Sequence, residues 1–506
     1  MIEFVDSWLD RVTMYRLTLY YVATLLAAAF ALGFFKLVPV EPTALVFSTF
    51  MIFAICWVTN RIFAKLLHAP VNTDSVFITV AILSLIMAPT TAGDHLGLAG
   101  LALAAFAAIA SKWLLAIQRR HIFNPVAVGA FVAGLALNQP ASWWVSGNAV
   151  LAPMVIVGGL LVVRKVRRFD MVGAYLAANV AATLATSQPA HYVEAFQQSA
   201  LSSPLLFAGF AMLTEPLTAP AAKWPRIAFG ALVGALTAAD VNIFGYYFAP
   251  EAALLVGNAF AWAVSPKGRF RLTLVAIEKM ASGCYDYVFA TDRPIAFAPG
   301  QYLDWTLDVA KPDDRGSRRP FTIASAPGAD DVRLGVKFYP GPSAFKRSLA
   351  KMKPGDTIFA SHVAGDFTLP RDPDEKIAFI AGGIGVTPFR SMVEDMVESG
   401  NARPIVMLYG NNKLDEIAYA ELFQRAEREL GMRTVYAIAE DAPHDLDNVH
   451  AGFIDVGLIQ REMPDYKERT FYLSGPRAMV VKFQASLKEL GVARGRIKVD
   501  YFPGFA

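Results

Sequence analysis

One glycine-rich segment, AGGIGVTPFRSMVEDMVESG at residues 381–400, has residue types and spacing that suit contact with a phosphate group. The glycines that would let the backbone approach an anionic ligand are Gly382, Gly383 and Gly385. Thr387 can cap a helix, and Pro388 suits its first position. Turns of this kind also occur in many α/β proteins without a ligand, so the segment alone indicates only a strand-to-helix junction.

The surrounding sequence predicts the elements that must position this turn. Residues 371–506 alternate apolar strand-like runs with amphipathic stretches; the runs are KIAFIAG, RPIVMLYG, MRTVYAIAE, RTFYLSG and RIKVDYF. Buried strands separated by helices favour a doubly wound parallel sheet, so this part is predicted to be an α/β domain. Residues 266–370 contain short β-like runs between Gly and Pro, which predicts a small antiparallel β-barrel.

Six motifs occur in a fixed order through these two domains. They are APGQY (298–302), RPFTIAS (319–325), GPSAF (341–345), KPGD (353–356), GGIGVTP (382–388) and LSGPRAM (473–479). As a set they resemble the ferredoxin–NADP reductase family over about 235 residues. The resemblance implies an FAD-binding β-barrel followed by an NAD(P)-binding α/β domain, with NAD(P)H as substrate.

The resemblance also implies a role for individual residues. Arg319 would neutralise the flavin pyrophosphate, because a guanidinium presents a fork of donors. Phe321 stands where the family usually has Tyr against the isoalloxazine, and Thr322 would reach the flavin N5 region. Ser474 replaces the usual Cys beside the nicotinamide. Phe502 in the closing DYFPGF is the candidate for an aromatic ring that covers the flavin, the alternative being ordinary core packing.

Two sets of site residues follow from these roles. The catalytic candidates are Thr322, Ser474 and Phe502. The remaining residues expected to contact FAD or NAD(P) are Arg319, Pro320, Phe321, Ser325, Gly341, Ser343, Gly382, Gly383, Gly385, Thr387, Pro388, Gly475 and Pro476. No metal site is expected.

Residues 1–265 have a different character, with repeated apolar runs long enough to cross a membrane. Ten spans are predicted, at about 17–38, 43–59, 76–93, 96–111, 125–141, 150–163, 170–187, 200–216, 226–245 and 250–265. With the N-terminus inside, sixteen Lys and Arg fall in inner loops and only Lys36 falls outside. The sequence therefore predicts a multi-pass protein of a bacterial-type inner membrane, with both termini cytoplasmic.

The two halves of this membrane region resemble each other weakly. IMAPTTAG matches MLTEPLTAP, and FNPVA matches FAPEA, at offsets of 127 and 125 residues. Five spans in each half would make the second copy inverted, a plan in which sites form near the midplane at interrupted helices. The alternative is that proline at span ends is common and that short matches arise by chance.

HIFNPVAVG (121–129) and MLTEPLTAP (212–220) also resemble segments of the integral-membrane subunits shared by the Rnf complex and the sodium-translocating NADH:quinone oxidoreductase. Those relatives carry a flavin on a threonine within a Ser-Gly-Ala-Thr-like segment, and this sequence contains no such segment. The resemblance therefore implies a quinone or a noncovalent flavin in the membrane domain. The relatives usually have Asp where this chain has Glu215.

Polar residues within predicted spans are costly to bury and mark candidate sites. Asn124, Thr214, Glu215 and Asp240 are candidates for a quinone, flavin or cation site, the alternative being helix capping and solvated loops. The histidines lie at span ends or in loops, with no two on one helix, so the paired ligands of a transmembrane haem are not expected.

Composition excludes several other classes. The net charge of +3 is too small to indicate nucleic-acid binding. Cys56 and Cys284 are the only cysteines, which excludes a disulfide framework and a four-thiolate iron–sulfur cluster.

The leading hypothesis is a membrane-bound, FAD-dependent NAD(P)H oxidoreductase that passes electrons to a quinone or a second flavin. A redox-driven Na+ or H+ transporter and a membrane-anchored cytoplasmic diaphorase are the alternatives. Membrane lipid, an electron acceptor and additional subunits are the expected partners. The sequence leaves open the choice of NADH or NADPH, the final acceptor and the oligomeric state.

Overall fold

Helices form the first half of the chain and strands dominate the second. The structure is a computed structural model, and it describes Val5, Trp8, Leu9, 12–67, 73–117, 120–197, 204–238, 241–243, 246–265, 269–309, 317–442 and 447–502. The chain divides into two units, Met1–Ser265 and Pro266–Ala506.

The first unit is helical apart from two short hairpins. Its helices are α1 (Met14–Phe34), α2 (Pro42–Leu66), α3 (Thr73–Ile86), α4 (His95–Leu114), α5 (Pro125–Leu137), α6 (Ala152–Val166), α7 (Phe169–Thr186), α8 (Tyr192–Gln197), α9 (Leu205–Phe207, continued by a π-turn at Ala208–Met212), α10 (Lys223–Leu236) and α11 (Pro250–Val264). Within the described residues, α1, α2 and α4 are long and apolar enough to cross a membrane. Ten spans remain a prediction.

Several helices end earlier than the hydrophobic runs predicted. The run 76–93 ends as a helix at Ile86, shortly before Pro89, and the run 200–216 ends at Met212, shortly before Pro216. Proline lacks an amide hydrogen and clashes with the preceding turn, so an apolar run continues past the point where the helix ends. The run 226–245 likewise ends at Leu236 and leads into a hairpin.

Helices of the first unit pack in the same order in both halves. In the first half α1 packs on α3, α2 on α4, and α4 on α5; in the second α6 packs on α9, α7 on α10, and α10 on α11. The last helix of each half follows a short hairpin, β1–β2 (Ala116–Ile117, Arg120–His121) or β3–β4 (Asn242–Ile243, Tyr246–Tyr247). Pro125 and Pro250 are the first residues of these two helices. α5 and α11 also pack on each other.

Glycine permits close helix contact at one of these interfaces. A Cβ atom added at Gly230 of α10 would lie 2.3 Å from the carbonyl oxygen of Met171, and one at Gly234 would lie 2.1 Å from that of Tyr175. Small residues let helix backbones approach in an apolar solvent, where van der Waals contact replaces the hydrophobic effect as the driving force. A side chain at either position would force α10 and α7 apart.

The second unit begins with a curled antiparallel sheet. Its strands are β5 (Arg269–Ala281), β6 (Cys284–Thr291), β7 (Tyr302–Thr306), β8 (Arg318–Thr322), β9 (Val332–Lys337) and β10 (Thr357–Ala364), in the order β8-β7-β10-β5-β6-β9. The inner face packs around Phe289, Leu303 and Trp305. The amide of Ala324 donates to the carbonyl of Arg333 at 2.9 Å, which brings the two edges of the sheet together. A short helix, α12 (Ala344–Leu349), lies between β9 and β10.

The rest of the second unit is a doubly wound α/β fold. Its strands are β11 (Ile377–Gly382), β12 (Ile405–Asn411), β13 (Arg433–Ile438), β14 (Val449–Ala451), β15 (Thr470–Pro476) and β16 (Ile497–Phe502), all parallel in the order β14-β13-β12-β11-β15-β16. The helices are α13 (Thr387–Ser399), α14 (Ala420–Leu430), α15 (Val456–Glu462) and α16 (Arg477–Glu489).

Alternation along β11 shows how both faces of this sheet are buried. Phe379 packs in the cluster formed with α13 and α14, while Ile380 packs in the cluster formed with α15 and α16. Successive side chains of a strand point to opposite faces, so a continuous apolar run suits a sheet that helices cover on both sides. The strand order reverses between β11 and β15, and the space beyond their carboxyl ends is the usual ligand position in such sheets.

Candidate functional site

The glycine turn and the LSGP segment meet at this reversal point. β11 ends at Gly382, and its neighbour β15 ends with Ser474, Gly475 and Pro476. A Cβ atom added at Gly385 would lie 2.4 Å from the Cα atom of Gly475, so the two segments touch through their backbones. Two predicted groups of site residues, some 90 residues apart in the chain, therefore converge at one edge of the sheet.

The helix that follows the glycine turn begins differently from the prediction for Thr387. A 3-10 turn, Gly383–Val386, comes first, and Val386 occupies the N-cap position. Thr387 is the first residue of α13, and its hydroxyl donates to the carbonyl of Ile384 at 3.2 Å. Gly383 has φ of +52°, a conformation that favours glycine. Pro388 lies in the first turn, where its missing amide hydrogen costs nothing.

Ser474 is fully buried at the carboxyl end of β15. Its hydroxyl has no hydrogen-bond partner among the described residues. A buried hydroxyl without a partner is costly and needs an explanation, such as a group that binds there. At the same edge Phe502 ends β16 and its backbone pairs with Pro476, whereas its side chain falls outside the described part of the chain.

The predicted pyrophosphate arginine lies on the curled sheet. Arg319 of β8 donates from Nη1 to the carbonyl of Arg318 at 2.8 Å, and its guanidinium lies 5.7 Å from the ring centroid of Phe345. The rings of Phe321 and Phe345 are 5.6 Å apart. The buried Phe345 of α12 therefore lies against both side chains, while Pro320 between them is exposed.

Four further predicted residues of this sheet have defined positions. Thr322 is buried at the end of β8, and the hydroxyl of Ser325 accepts from the amide of Arg333 at 3.2 Å. Gly341 has φ of +73°, and Ser343 caps α12 by accepting from the amide of Lys346 at 3.3 Å. Ser325 therefore binds the opposite edge of the sheet, and Ser343 begins a helix.

An ion pair between a buried arginine and a half-buried glutamate, which sequence reasoning missed, holds the segment after β8. Arg390 of α13, 6% exposed, donates to the carbonyl of Ala324 at 2.5 Å and to both carboxylate oxygens of Glu394 at 2.7 Å. Glu394 accepts from the amide of Ala326 at 2.6 Å. We call Arg390 and Glu394 the clamp, because together they fix residues 324–326 of the curled sheet against a helix of the α/β fold.

A second buried contact joins the same two parts. The hydroxyl of Tyr419 donates to Asp286 at 3.0 Å, and Arg333 lies 3.4 Å from the other oxygen of that carboxylate. Burial raises the pKa of Asp286 above its ordinary value, although the charges of Arg390 and Arg333 and the hydrogen bond from Tyr419 act in the opposite direction. Burial, with the charge of Asp286, also raises the pKa of Tyr419 well above its ordinary value, so the phenol remains a neutral donor.

Three of the four polar candidates in the first unit meet at one cavity. A cavity of about 50 Å³ is lined by Asn124, Thr214 and Glu215, together with Lys112. The hydroxyl of Thr214 donates to the carbonyl of Phe210 at 2.7 Å, across the π-turn that ends α9. The fourth candidate, Asp240, lies outside the described residues.

Hydrogen bonds around Asn124 and Glu215 organise one wall of the cavity. The Asn124 side chain caps α5 by accepting from the amide of Ala127 at 3.1 Å, and its amide nitrogen donates to Glu215 at 2.9 Å. The side chain of Asn258 on α11 accepts from the backbone amide of Asn124 at 2.8 Å and donates to the carbonyl of Thr218 at 3.2 Å. Asn124 thus serves both as a helix cap and as a hydrogen-bond donor to a half-buried carboxylate.

Two ionisable residues of this site were not among the predicted candidates. His121 Nε2 lies 2.9 Å from Glu215 Oε1. Lys112 donates to the carbonyl and hydroxyl of Ser75, each at 2.9 Å, and to Thr79 at 2.8 Å. His121 opens the HIFNPVAVG segment, which is the signal that the sequence offers, whereas Lys112 is one of the sixteen Lys and Arg assigned to the predicted inner loops.

Two family models match separate parts of the chain. Residues 379–485 match the oxidoreductase NAD-binding domain, and residues 143–266 match the NQR2, RnfD, RnfE family. The first match contains the glycine turn and Ser474; the second contains Glu215 and Asn258. Both resemblances that the motifs predicted are thereby confirmed for these segments.

Curated relatives match about two fifths of the chain. The flavohemoprotein of Xylella fastidiosa strain Temecula1 is 30% identical over 40% of this chain and 50% of its own length. The phenol hydroxylase P5 protein of Acinetobacter pittii strain PHEA-2 is 29% identical over 42% of this chain and 59% of its own length. The chain thus spans about half the length of the curated relatives it matches.

Solved structures align with about half of the chain. The flavohem-like FAD/NAD binding domain of nitric oxide dioxygenase from Vibrio cholerae O1 biovar El Tor has a TM-score of 0.41 and 19% identity, covering 47% of this chain and 99% of that chain. The family matches lead to one conclusion: the chain joins a segment that matches the NQR2, RnfD, RnfE family to a segment that matches the oxidoreductase NAD-binding domain.

Proposed function

We propose that this protein is a membrane-bound, FAD-dependent NAD(P)H oxidoreductase that passes electrons from NAD(P)H through FAD to an acceptor in the membrane. The observation that carries the proposal is the meeting of the glycine turn with Ser474 and Gly475 at the reversal point of a sheet that matches oxidoreductase NAD-binding domains. The curled sheet that precedes it supplies the second half of a reductase site.

The residues of the curled sheet fit FAD. Arg319 provides a cation for the pyrophosphate, Phe321 offers a ring for stacking, and the positive φ of Gly341 allows a turn whose backbone faces the ligand. When bound, FAD accepts two electrons as hydride and releases them singly, which couples NAD(P)H to membrane carriers. The clamp keeps residues 324–326 fixed, so it sets the position of the strand end that carries Thr322.

The α/β fold supplies the NAD(P)H site. Gly382, Gly383 and Gly385 allow the dinucleotide to approach the backbone, and the amides of the first turn of α13 lie where a helix attracts phosphate. The hydroxyl of Ser474 can pair with a polar group of the nicotinamide, which would satisfy its missing hydrogen bond. We assign Ser474, Thr322 and Phe502 to the site of hydride transfer.

The cavity of the first unit is the proposed acceptor site, for a quinone or a noncovalent flavin. Asn124, Thr214 and Glu215 line it. Two of these three, Thr214 and Glu215, lie within residues 143–266, the segment that matches the NQR2, RnfD, RnfE family. That family match also favours other subunits or a membrane acceptor as partners. The proposal includes ten spans in two inverted repeats, both termini on the cytoplasmic side of a bacterial-type inner membrane, and membrane lipid around the exposed apolar helix faces.

A cofactor spectrum tests the proposal. Protein purified gently in detergent should contain FAD that NADH or NADPH bleaches, and it should then reduce a quinone analogue. Asn124→Ala and Glu215→Ala should slow quinone reduction while ferricyanide reduction continues. Purified protein without bound flavin would overturn the proposed oxidoreductase activity. Quinone reduction at the parental rate in both variants would favour the alternative of a membrane-anchored diaphorase.

A second candidate is a redox-driven Na+ or H+ transporter. It is favoured by the repeated helix order of the first unit and by the broken helix between Phe210 and Pro216, since interrupted helices at a repeat interface are the usual transport site. Turnover in proteoliposomes should then depend on Na+ or on membrane potential. Turnover insensitive to both would remove this candidate.

A further inference from the structure

The cavity of the first unit has opposite charges on its walls. Lys112 contributes an ammonium group whose hydrogens bond Ser75 and Thr79 on α3. Glu215 contributes a carboxyl group from the loop after α9. Among the described residues that line the cavity, these two and Tyr15 of α1 are the titratable side chains. A ligand in this space therefore meets a cation and a carboxyl group.

The carboxyl group of Glu215 is held by three side chains. Its Oε2 accepts from Asn124 at 2.9 Å and from the hydroxyl of Thr218 at 3.3 Å. Its Oε1 lies 2.9 Å from His121 Nε2. Asn124 and Thr218 have no proton to exchange near neutral pH, so His121 is the partner through which Glu215 can gain or lose one.

His121 lies beside this carboxyl group and is itself partly exposed. It ends the hairpin β1–β2, and its side chain is 12% exposed, whereas that of Glu215 is 18% exposed and borders the cavity. The charge pattern of the sequence assigns this hairpin to a cytoplasmic loop. An imidazole nitrogen can take up and release a proton, so His121 and the carboxyl group at hydrogen-bond distance form a two-member proton-transfer pair beside the cavity.

We propose that His121 and Glu215 deliver a proton to a quinone-class acceptor that is reduced in this cavity. The inference rests on the proposed function and adds to it the path of the proton. The acceptor gains two electrons, which originate in the hydride of NAD(P)H, and two protons, so that its two carbonyl oxygens become hydroxyl groups. Both protons leave from Glu215, one after the other, and each time Glu215 regains a proton from His121 and His121 regains one from water at the hairpin.

Lys112, which also lines the cavity, supports the same chemistry. Its positive charge stabilises the negative charge that the acceptor acquires with the electrons, before the protons arrive. Tyr15, on α1, is the other titratable group that borders the space. A purely structural role, in which the pair only holds the hairpin against the loop after α9, would need the hydrogen bond but not the exchangeable proton.

The test removes the exchangeable proton of either residue while keeping a polar side chain in its place. Glu215→Gln retains an acceptor and a similar volume, and His121→Gln retains a polar side chain. Full-length protein would reduce a water-soluble ubiquinone analogue with NADH or NADPH across a range of pH, in H₂O and D₂O. We expect kcat to fall about 100-fold in either variant with KM for the quinone unchanged, as for loss of a proton donor. The pH dependence and solvent isotope effect of the parent should change in both variants.

Controls separate this inference from the proposed function. His191 and Glu194 form another close pair, 2.7 Å apart but 64% and 73% exposed, so His191→Gln and Glu194→Gln should leave quinone reduction unchanged. Glu215→Asp, which keeps an ionisable group, should recover part of the rate. Parental rates and pH dependence in Glu215→Gln would overturn the proton path alone. Parent protein that reduces ferricyanide but no quinone would overturn the acceptor site, and the proton path with it.

Discussion

The buried clamp provides the sharpest prediction for the second unit. Arg390→Met removes a guanidinium that is 7% exposed and makes hydrogen bonds to Glu394 and to the carbonyl of Ala324. Glu394 then keeps only the amide of Ala326 among its described partners, and the carbonyl of Ala324 loses its donor. The carboxylate left behind is 20% exposed, and breaking a buried pair on one side leaves an uncompensated charge, so the cost is up to about 3–5 kcal/mol. We expect the second unit to lose about this much stability.

Thiol labelling can measure this loss in the full-length protein. Cys284 is 1% exposed, and burial together with the charge of Glu416 raises its pKa to about 11, despite the opposing charges of Lys337 and Lys346. Since the thiolate is the reactive form, labelling requires unfolding of its surroundings. In a Cys56→Ala background, Arg390→Met should label Cys284 about a hundredfold to a few thousandfold faster, at about 1.4 kcal/mol per tenfold.

A matched pair on a neighbouring helix serves as the control. Arg425 and Glu429 on α14 have the same spacing and a 2.8 Å contact, but they are 51% and 46% exposed. Exposed pairs of this type contribute about 0.3–0.5 kcal/mol, so Arg425→Met should change labelling by less than about threefold. The double variant Arg390→Met, Glu394→Leu should recover part of the loss, because no charge is left unpaired although the carbonyl of Ala324 and the amide of Ala326 still lack these partners. Equal labelling rates in Arg390→Met and Arg425→Met would refute the reasoning.

Three further predictions concern the α/β fold. Ser474→Ala removes a buried hydroxyl without a partner among the described residues, so the cofactor-free variant should be about 1 kcal/mol more stable than the parent. Flavin reduction by NAD(P)H, followed by stopped flow, should be slower in this variant. A variant that is less stable than the parent without cofactor would contradict the proposed pairing of Ser474 with the nicotinamide. Gly385→Ala places a Cβ atom 2.4 Å from the Cα atom of Gly475, so the affinity for NAD(P)H should fall while FAD is retained. Equal NAD(P)H binding by variant and parent in a titration would show that nucleotide binding does not require this close contact. Burial opposes ionisation of Asp465, but hydrogen bonds from Arg469 and Lys376 outweigh it and lower its pKa. The stabilisation of the folded protein by this ionised carboxylate is present above about pH 4 and is lost as the pH falls further. Asp465→Asn should therefore destabilise the protein at pH 7 and differ less from the parent at pH 3, as thermal unfolding would measure.

Several features of the fold could be predicted because they depend on neighbouring residues. The continuous apolar run KIAFIAG indicates a strand buried on both faces, and the glycine turn with Pro388 indicates the start of a helix. Long apolar runs indicated helices, although Pro89 and Pro216 lie where those helices have already ended. The prediction that Thr387 caps α13 was wrong by one residue, because a 3-10 turn comes before the helix and Val386 occupies the N-cap position.

The sequence by itself determined the class of each element, the order of the motifs and the residue types available to bind FAD and NAD(P)H. Only the tertiary structure decided which of these residues meet. Glu215 lies 94 residues from His121, and Arg390 lies 66 residues from Ala324, so neither contact has a local pattern. Periodicity records which face of an element is apolar, whereas buried polar partners are chosen by packing. The reason is that a buried charge is stable only where distant segments place a donor or acceptor at the correct distance.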